Sequence, residues 1–273
     1  MNVLYCGDRN VIDGLTISVL SLAKNTESPL NVYVLTMDYE LPKKKYYRIK
    51  ATDLVRLEAE IRKKNSKSKI TVLDVGEIFR KNPTTANRRT YFTPYCMLRL
   101  YLDHISEIPD RILYLDTDVV CLNDPSELYE MDNSKYEMIG VLDRYGGKII
   151  RKPGARQKYI NSGVLLLNIP LIRETKLFEK ARKMCREKWM IMPDQTALNF
   201  CVKYKKIVDK KFNDQKEIRK DTVFRHFSNT FIFFPYFKVQ SIKPWQVKEL
   251  HEILDTHEFD DVLAKWRDLK EVK

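Results

Sequence analysis

The segment Asp116-Thr117-Asp118 carries two carboxylates two residues apart, between apolar runs at residues 112–115 and 119–122. An apolar run that ends in polar residues is typical of a buried strand, and open α/β sheets bind ligands at the carboxyl ends of their strands. Carboxylates held close together in a buried setting repel each other unless a cation or a shared proton compensates. A hard divalent cation is therefore the natural partner of this segment. A helix cap or a turn is the alternative that these residues alone leave open.

The first half of the chain contains the elements that would position this segment. Runs rich in β-branched residues alternate there with apolar residues at helical spacing, which implies βαβ units and a mostly parallel sheet with helices on both faces. The predicted strands are residues 3–6, 30–37, 69–74 and 111–115. The predicted helices are residues 12–24, 42–64, with Pro42 in the first turn, and 94–102.

The second half is less regular but continues the same pattern. It predicts strands at 138–142 and 163–169, a helix at 170–188, and a loop rich in glycine, proline and basic residues at 144–159. Residues 244–273 are predicted to form a basic, amphipathic helical segment. No linker or repeat divides the chain, so we expect a single α/β domain over residues 1–273.

Composition limits the classes of partner. The 273 residues carry a formal net charge of +12, with 44% hydrophobic residues, as expected of a globular protein. A basic balance favours nucleic acid, an anionic membrane surface or a phosphorylated substrate, and a solvated basic face explains it equally well. No nucleic-acid-binding motif accompanies the charge, so nucleic acid is not expected as a partner. No apolar run approaches the roughly 20 residues of a membrane-spanning helix.

The cysteines and the N-terminus favour a cytoplasmic protein. Five scattered cysteines without a CxxC pair indicate reduced, buried thiols, and the first residues lack the basic start and cleavage site of a signal peptide. The C-terminal segment and an aromatic insert at residues 228–240 suggest peripheral contact with the inner face of the membrane as a separate hypothesis.

Residues 114–119, Tyr-Leu-Asp-Thr-Asp-Val, resemble the signature of glycosyltransferase family 8, which includes glycogenin and the bacterial lipopolysaccharide galactosyl- and glucosyltransferases. Other pieces match in the family's order from Val3 to Trp245, so the resemblance covers nearly the whole chain. It implies the A-type glycosyltransferase fold (GT-A), a Rossmann-like domain with one mixed central sheet flanked by helices. It also implies a retaining transferase that moves a hexose from a UDP-sugar to a glycan or a lipopolysaccharide-type acceptor.

The resemblance implies donor contacts in the first hundred residues. Gly7, Asp8 and Asn10 match the family's first strand end, where an Asp and an Asn contact the uracil and ribose of the donor. Glycine allows close backbone approach, and both polar side chains can hydrogen-bond a base or a sugar. A helix N-cap is an alternative for Asp8 that is compatible with this role. Arg99 matches the arginine of the family's Tyr-x-Arg-Leu helix, which contacts the donor.

Further candidates lie where the family holds the donor sugar. Asn161 matches an asparagine that binds sugar hydroxyls, and Asp194 and Gln195 match an Asp-Gln pair at the sugar's reacting face. Asp194 and Gln195 are therefore the candidate catalytic residues, with a stabilising or positioning role for Gln195. Asp143, after a predicted strand, and Thr117 are further candidates for donor binding. Turn chemistry at Asn161 and a helix cap at Asp194 are the alternatives.

His226 and Lys243 match the two halves of the family's C-terminal motif His-x-x-Gly-x-x-Lys-Pro-Trp. The resemblance implies that His226 is a third metal ligand beside Asp116 and Asp118, and that Lys243 binds the diphosphate. This chain departs from the motif, because the glycine is absent and residues 228–240 separate the halves. The insert could form a lid, an acceptor platform, a membrane-contact loop or part of the core.

Two carboxylates and an imidazole suit Mn²⁺ better than Mg²⁺, because imidazole is the softer ligand. Mn²⁺ is therefore the expected cofactor, with Mg²⁺ as a second candidate. The implied partners are a UDP-sugar donor and a carbohydrate or glycolipid acceptor. Two other functions remain open, a nucleotide-sugar-binding protein with little turnover and a metal-dependent nucleotidyltransferase, although the sequence shows no triphosphate-binding loop.

Overall fold

The computed structural model describes residues 1–42, 44–87, 94–146, 158–232, 236 and 238–271. A seven-stranded sheet lies at its centre. Its strands, in chain order, are β1 (Asn2–Cys6), β2 (Asn31–Thr36), β5 (Lys69–Asp74), β6 (Arg111–Leu115), β8 (Met138–Leu142), β9 (Ile160–Asn168) and β10 (Lys205–Ile207). Strand pairs outside this sheet are β3 (Tyr39–Leu41) with β4 (Lys44–Tyr46), β7 (Val119–Cys121) with β11 (Phe224–His226), and β12 (Thr230–Ile232) with β13 (Lys238–Gln240).

The strand order β10-β8-β9-β6-β1-β2-β5 is that of a mixed sheet. Strand β9 runs antiparallel to both of its neighbours, and the other pairs are parallel. Leu115, the last residue of β6, pairs with Val164. The residues that begin β9 therefore lie beside the residues that follow β6, at the sheet edge where α/β folds bind ligands.

Helices cover both faces of the sheet. They are α1 (Ile12–Asn25), α2 (Ala51–Lys64), α3 (Gly76–Lys81), α4 (Ser126–Tyr129), α5 (Ile169–Thr175), α6 (Leu177–Glu187), α7 (Pro193–Cys201), α8 (Val247–Leu254) and α9 (Asp260–Glu271). The 3₁₀ helices are Arg9–Val11, Thr85–Asn87, Pro94–His104 and Lys210–Phe212. Buried side chains alternate between the faces along each strand, so that Leu113 and Leu115 enter one apolar layer and Ile112 and Tyr114 the other. The predicted mixed sheet flanked by helices is confirmed.

The predicted helix at 42–64 is wrong in its first two turns. Strands β3 and β4 form an antiparallel hairpin there, in which Leu41 pairs with Lys44, and α2 begins only at Ala51. Pro42 lies in the turn between the two strands. The fixed φ of proline suits a turn as well as a first helical turn, so the residue alone did not distinguish the two.

The predicted helix at 170–188 is present but is divided into α5 and α6. Lys176 separates them in the left-handed region, with φ 56° and ψ 35°. Just before the break, the Thr175 hydroxyl bonds to the buried carboxylate of Glu137. A glycine often marks the left-handed residue that ends a helix, but this position holds a lysine. The prediction, based on apolar periodicity alone, therefore continued the helix through Lys176.

Replacing Lys176 with glycine should raise the free energy of unfolding by about 0.5–1 kcal/mol, because glycine adopts positive φ without the clash of a Cβ atom. Lys176→Ala removes the same charge and keeps the Cβ atom, so it should give no comparable gain. Urea unfolding of both variants measures the difference. A loss of stability in Lys176→Gly would show that the left-handed conformation carries no appreciable cost.

The C-terminal segment is helical as predicted, with α8 and α9, but it differs from its prediction in charge. Residues 244–273 carry five lysines and arginines against eight aspartates and glutamates, so the segment is acidic and not basic. Its apolar side chains pack into the core, where Leu250, Leu263 and Trp266 are buried. The described part of the segment, residues 244–271, is therefore unsuited to a basic, apolar contact with a membrane surface. None of the helices in the described part of the chain has both the length and the apolar character that a membrane crossing requires.

The predicted loop at 144–159 and the aromatic insert at 228–240 lie partly outside the described residues. Most of the loop at 144–159 falls there, as do residues 233–235 and 237 of the aromatic insert. The described part of the insert is the hairpin of β12 and β13, with the side chain of Tyr236 83% exposed. That exposure disfavours a core-filling role at Tyr236 itself.

Candidate functional site

The two aspartates of the Asp-Thr-Asp segment follow β6 and meet His226 from β11. Strand β11 pairs antiparallel with β7, and His226 lies opposite Val119, the residue after Asp118. His226 Nε2 is 3.2 Å from Asp118 Oδ1 and 3.7 Å from Asp116 Oδ2. One potential ligand atom from each of these side chains lies within 4.8 Å of the other two. Two carboxylates and an imidazole at such spacing form a donor set that fits a divalent cation.

The other ring nitrogen of His226 faces two amide oxygens. Nδ1 is 3.2 Å from Asn161 Oδ1 and 3.2 Å from Asn213 Oδ1. A neutral ring with its hydrogen on Nδ1 donates to these oxygens and presents the Nε2 lone pair to the aspartates. Gly163 lies against the same ring, and a Cβ atom added there would stand 2.6 Å from Nδ1. The imidazole is thus oriented by its hydrogen bonds, and the glycine at residue 163 leaves the space that the ring occupies.

Lys243 supplies a positive charge to the same cluster. Its Nζ donates to Asp118 Oδ2 at 2.6 Å and to the Phe227 carbonyl at 2.8 Å. Burial alone would raise the pKa of Asp118, but the charge of the Lys243 ammonium outweighs it, together with the charge and hydrogen bond of His226 when its ring is protonated, so that this pKa lies below its usual range. Asp118 is therefore held as a carboxylate.

Arg99 lies beneath the site and is only 2% exposed. Its Nη2 donates to Asp116 Oδ1 at 2.9 Å and lies 3.4 Å from Asp194 Oδ2, and its Nη1 donates to the Ser162 carbonyl. The guanidinium stacks over Tyr114 at 3.7 Å from the ring centroid. Arg99 thus anchors two carboxylates and one strand end, and the predicted direct contact with the donor stays a prediction.

The predicted sugar-site residues form one hydrogen-bonded network. Asp143 Oδ2 accepts from Asn161 Nδ2 at 2.8 Å and from Gln195 Nε2 at 3.1 Å. Gln195 Oε1 accepts from the Ser162 backbone at 2.9 Å, and the Ser162 hydroxyl donates to Asp194 Oδ2 at 3.2 Å. Burial raises the pKa of Asp194, and Arg99 offsets that effect only in part. These side chains come from three places, the end of β8, the start of β9 and the start of α7, so the network fixes the relative positions of these elements.

Gly7, Asp8 and Asn10 follow β1, the strand beside β6. Asp8 caps the 3₁₀ turn by accepting from the Asn10 backbone, and Asn10 Nδ2 donates to Asp8 Oδ2 at 2.7 Å. Burial raises the pKa of Asp8. The helix cap that the sequence offered as an alternative for Asp8 is therefore present. Asn10 is exposed beside it.

Thr117 lies between the two aspartates, with its backbone against α1. A Cβ atom added at Gly14 of that helix would stand 2.5 Å from the Thr117 carbonyl and 2.5 Å from the Trp245 ring. The absence of a side chain at Gly14 thus lets the Asp-Thr-Asp turn and Trp245 approach the same point of the helix.

Three residues of the site were not identified from the sequence. Asn213 holds the His226 ring, Ser162 links Gln195 to Asp194, and the Tyr114 hydroxyl donates to Asp116 Oδ1 at 2.5 Å. Tyr114 and Ser162 lie within two residues of predicted site residues in the sequence, which is only a weak indication that they belong to the site. Asn213 follows a short 3₁₀ turn in a polar stretch and carries no distinguishing pattern in a single sequence.

Comparison with known proteins identifies the family. Residues 2–249 match the model of glycosyl transferase family 8. The lipopolysaccharide 1,3-galactosyltransferase of Salmonella typhimurium is 28% identical over 262 residues, an alignment that covers 89% of this chain and 72% of that protein. The lipopolysaccharide glucosyltransferase WaaO of Escherichia coli is 26% identical over 262 residues, covering 90% of this chain and 72% of that protein.

Solved structures agree on the fold. The galactosyltransferase LgtC, in complex with donor and acceptor sugar analogues, superposes with a TM-score of 0.68 at 18% identity, covering 100% of this chain and 98% of that one. GlyE, a glycosyltransferase of Streptococcus pneumoniae, gives a TM-score of 0.61 at 17% identity, covering 100% of this chain and 65% of that one. The sheet, the helices on its faces and the family match together establish that this chain belongs to glycosyltransferase family 8 and has the GT-A fold.

Proposed function

We propose that this glycosyltransferase is a retaining, metal-dependent enzyme that moves a hexose from a UDP-sugar to a glycan or a lipopolysaccharide-type acceptor. The observation that carries the proposal is the meeting of Asp116, Asp118 and His226, with Lys243 bonded to Asp118. The named relatives act on lipopolysaccharide, and the related LgtC structure contains donor and acceptor sugar analogues, which supports this class of donor and acceptor.

Asp116, Asp118 and His226 would hold a divalent cation, with Mn²⁺ preferred because an imidazole completes the set and Mg²⁺ as the second candidate. When bound, such a cation stabilises negative charge that develops on the leaving diphosphate. The support for this assignment lies in the donor set, since two carboxylates face one imidazole nitrogen.

Lys243 would bind the diphosphate of the donor. Its ammonium already lies at the edge of the acidic cluster, 22% exposed, with one bond to Asp118 and one to a backbone carbonyl. A mobile lysine head can turn from a carboxylate to a phosphate oxygen with little change in its stem. The positive charge would then stabilise the leaving group as the anomeric C–O bond breaks.

We assign the remaining residues to the donor nucleotide and the sugar. Asp8 and Asn10, with the close backbone of Gly7, would bind the uracil and ribose, and Thr117 would lie against the donor between the aspartates. Asp143 and Asn161 would bind sugar hydroxyls; their carboxylate and amide groups converge within hydrogen-bonding distance of each other. Arg99 would act chiefly by fixing Asp116, since its guanidinium is buried among protein oxygens.

Asp194 and Gln195 would form the reacting face of the sugar site. Asp194 is buried beside Arg99, with its pKa raised by burial, so it is poorly placed to attack as a free carboxylate. Gln195 bonds to Ser162 and Asp143, which fixes its amide toward the sugar-site residues. We therefore give Gln195 the role of positioning and stabilising an oxocarbenium-like sugar. Asp194 would hold the side chains of Arg99 and Ser162 in place.

We also propose a cytoplasmic location, supported by the five cysteines, all of which are free. Peripheral contact with an anionic inner membrane face would have to use the aromatic hairpin of β12 and β13 and basic surface elsewhere. The acidic C-terminal helices, whose apolar side chains are buried, are unsuited to it.

A panel of UDP-sugars, each incubated with the metal-free protein and then with Mn²⁺, tests the proposal directly. We expect released UDP for at least one sugar with Mn²⁺, a smaller rate with Mg²⁺, and loss of the signal after chelation. Binding of UDP-sugar without release of UDP over the whole panel, including lipopolysaccharide-derived acceptors, would instead indicate a binding protein. Consumption of nucleoside triphosphate with release of pyrophosphate would indicate a nucleotidyltransferase.

A further inference from the structure

A second cluster of metal-ligand side chains lies at the C-terminus, in the turn between α8 and α9. His251 lies in the last turn of α8, His257 lies in the connection, and Asp260 is the first residue of α9. The two imidazole rings stack with centroids 4.2 Å apart and an interplanar angle of 27°. None of these residues belongs to the proposed donor site.

The end of α8 explains why the two histidines meet. Asp255 adopts the left-handed conformation with φ 47°, and its N–H bonds to the His251 carbonyl at 3.1 Å. The next N–H, of Thr256, bonds to the Leu250 carbonyl at 3.3 Å. The first is the bond of an αL helix cap, and together the two bonds end α8 and reverse the chain. The reversal brings His257 back over the last turn of the helix.

The spacing within the cluster approaches that of ligands to one metal ion. His251 Nε2 is 2.7 Å from Asp260 Oδ1, and His257 Nδ1 is 3.0 Å from Asp260 Oδ2. In a tetrahedral zinc site with bonds of about 2.0–2.1 Å, neighbouring ligand atoms are about 3.3 Å apart. Separations of this size are reached when each imidazole moves outward by roughly half an ångström, which exposed side chains can do.

We propose that His251, His257 and Asp260 form a second, structural metal site, selective for Zn²⁺ among the common cellular cations. Two imidazoles and one carboxylate suit a borderline cation better than Mg²⁺ or Ca²⁺, which prefer oxygen ligands alone. The side chains are 30–55% exposed, which leaves the fourth position to water. This inference does not depend on the proposed transferase function.

Asp255 would complete the surroundings of the ion. Its Oδ1 is 3.8 Å from His257 Nε2, the ring nitrogen that does not face Asp260. A carboxylate beside the outer nitrogen of a ligating histidine fixes the ring and strengthens the ligand. At 3.8 Å the two groups are not hydrogen-bonded, so the exposed side chain of Asp255 would have to turn toward the ring to give this support.

Zinc at this site would join α8 to α9 and thereby hold α9 on α1. The contacts of α9 with α1 include Trp266 Nε1 to Asp13 Oδ1 at 3.0 Å and Lys270 Nζ to Asp13 Oδ2 at 2.9 Å. A ligand that binds only the folded state raises the midpoint of unfolding. For a chain of this size, zinc at a hundred times its Kd should raise Tm by about 5 °C or more.

The test uses the full chain with Asp116→Asn and Asp118→Asn, because these substitutions remove the carboxylates of the candidate donor site. After chelation, calorimetric titration of this variant with Zn²⁺ should give one bound equivalent and the rise in Tm. Adding His251→Gln and His257→Gln should weaken zinc binding more than about 100-fold, since even an outer partner of a ligand is worth about 10–100-fold. His104→Gln, which removes an exposed histidine elsewhere, is the matched control and should change neither quantity.

The unsubstituted protein provides a readout that is independent of these variants. With four histidines in the chain, the imidazole ¹⁵N resonances of His251 and His257 can be followed one by one as Zn²⁺ is added. Both should shift together over the same additions of Zn²⁺, with His104 unchanged and with His226 reporting separately on the candidate donor site. The proposal would be overturned if the His251 and His257 resonances did not shift, or if the His251→Gln and His257→Gln variant kept its affinity for Zn²⁺. A Kd on the order of millimolar would overturn it too, because it would indicate adventitious surface binding. In that case the cluster is a hydrogen-bonded helix cap.

Discussion

Replacing Asp118 with asparagine should lower metal-dependent release of UDP by at least about 10³-fold, because a bound cation contributes several kcal/mol to stabilising the leaving group. The substitution keeps the shape of the side chain and removes the charge that faces both His226 and Lys243. The measurement is the initial rate of UDP release, with Mn²⁺ in excess, on the donor that the panel identifies.

The matched control is Asp268→Asn, which removes an exposed carboxylate from α9 and should leave the rate within twofold. Circular dichroism and thermal unfolding establish that both variants are folded. An Asp118→Asn enzyme that retains full rate and full response to Mn²⁺ would show that Asp118 is not a ligand of the metal that acts in the reaction. A retained rate without response to Mn²⁺ would instead leave Lys243 as the source of positive charge.

Substituting Gly163 with alanine should reduce the rate by at least about 100-fold, although it replaces none of the side chains proposed to bind metal or substrate. An added Cβ atom would stand 2.6 Å from His226 Nδ1 and 3.0 Å from Asp116 Oδ2, so the imidazole must move. Displacing a catalytic group by about 1 Å is sufficient to cost about 10²-fold in rate. The Kd for Mn²⁺, measured by electron paramagnetic resonance, should rise together with the loss of rate.

Gly76→Ala is the control for this substitution. A Cβ atom at Gly76 is nearest to the ends of the Arg80 and Asp74 side chains, at 3.1 Å each, which can move aside, and lies in ordinary contact with Met37 Cβ at 3.5 Å. It should therefore leave the rate and the Mn²⁺ affinity unchanged. Equal rates for the Gly163→Ala enzyme and the unsubstituted enzyme would show that the position of the His226 ring is not critical.

The middle of the central sheet could be predicted because its strands are buried on both faces. Such strands appear as continuous apolar runs, and residues 111–115 and 138–142 were assigned with the bounds that the structure has. The edge strand at residues 69–74 is only half-buried, and its bounds were also assigned as the structure has them. The hairpin of β3 and β4 could not be distinguished from a helix start. It is a short pair with charged residues, and its turn proline fits both structures.

The candidate site was predicted unevenly for a similar reason. Asp116, Asn161 and Asp143 adjoin strands of the central sheet, so the edge at which they meet follows from the order of the elements. The approach of His226 depends on the pairing of β11 with β7, a contact between distant segments that local patterns do not encode. The burial of Arg99 follows from the packing of three elements around it and is likewise a tertiary property.

The bond between Lys243 and Asp118 joins residues 125 positions apart in the chain. At a synthesis rate of about 5–20 residues per second, the lysine leaves the ribosome roughly 6–25 s after the aspartate. During that interval Asp118 lacks its cationic partner and, for most of it, the imidazole as well, whereas Asp116 is preceded in the chain by its own partner, Arg99. The acidic edge of the sheet must therefore stay hydrated on the growing chain, and the capacity to hold a cation there appears only as synthesis nears its end.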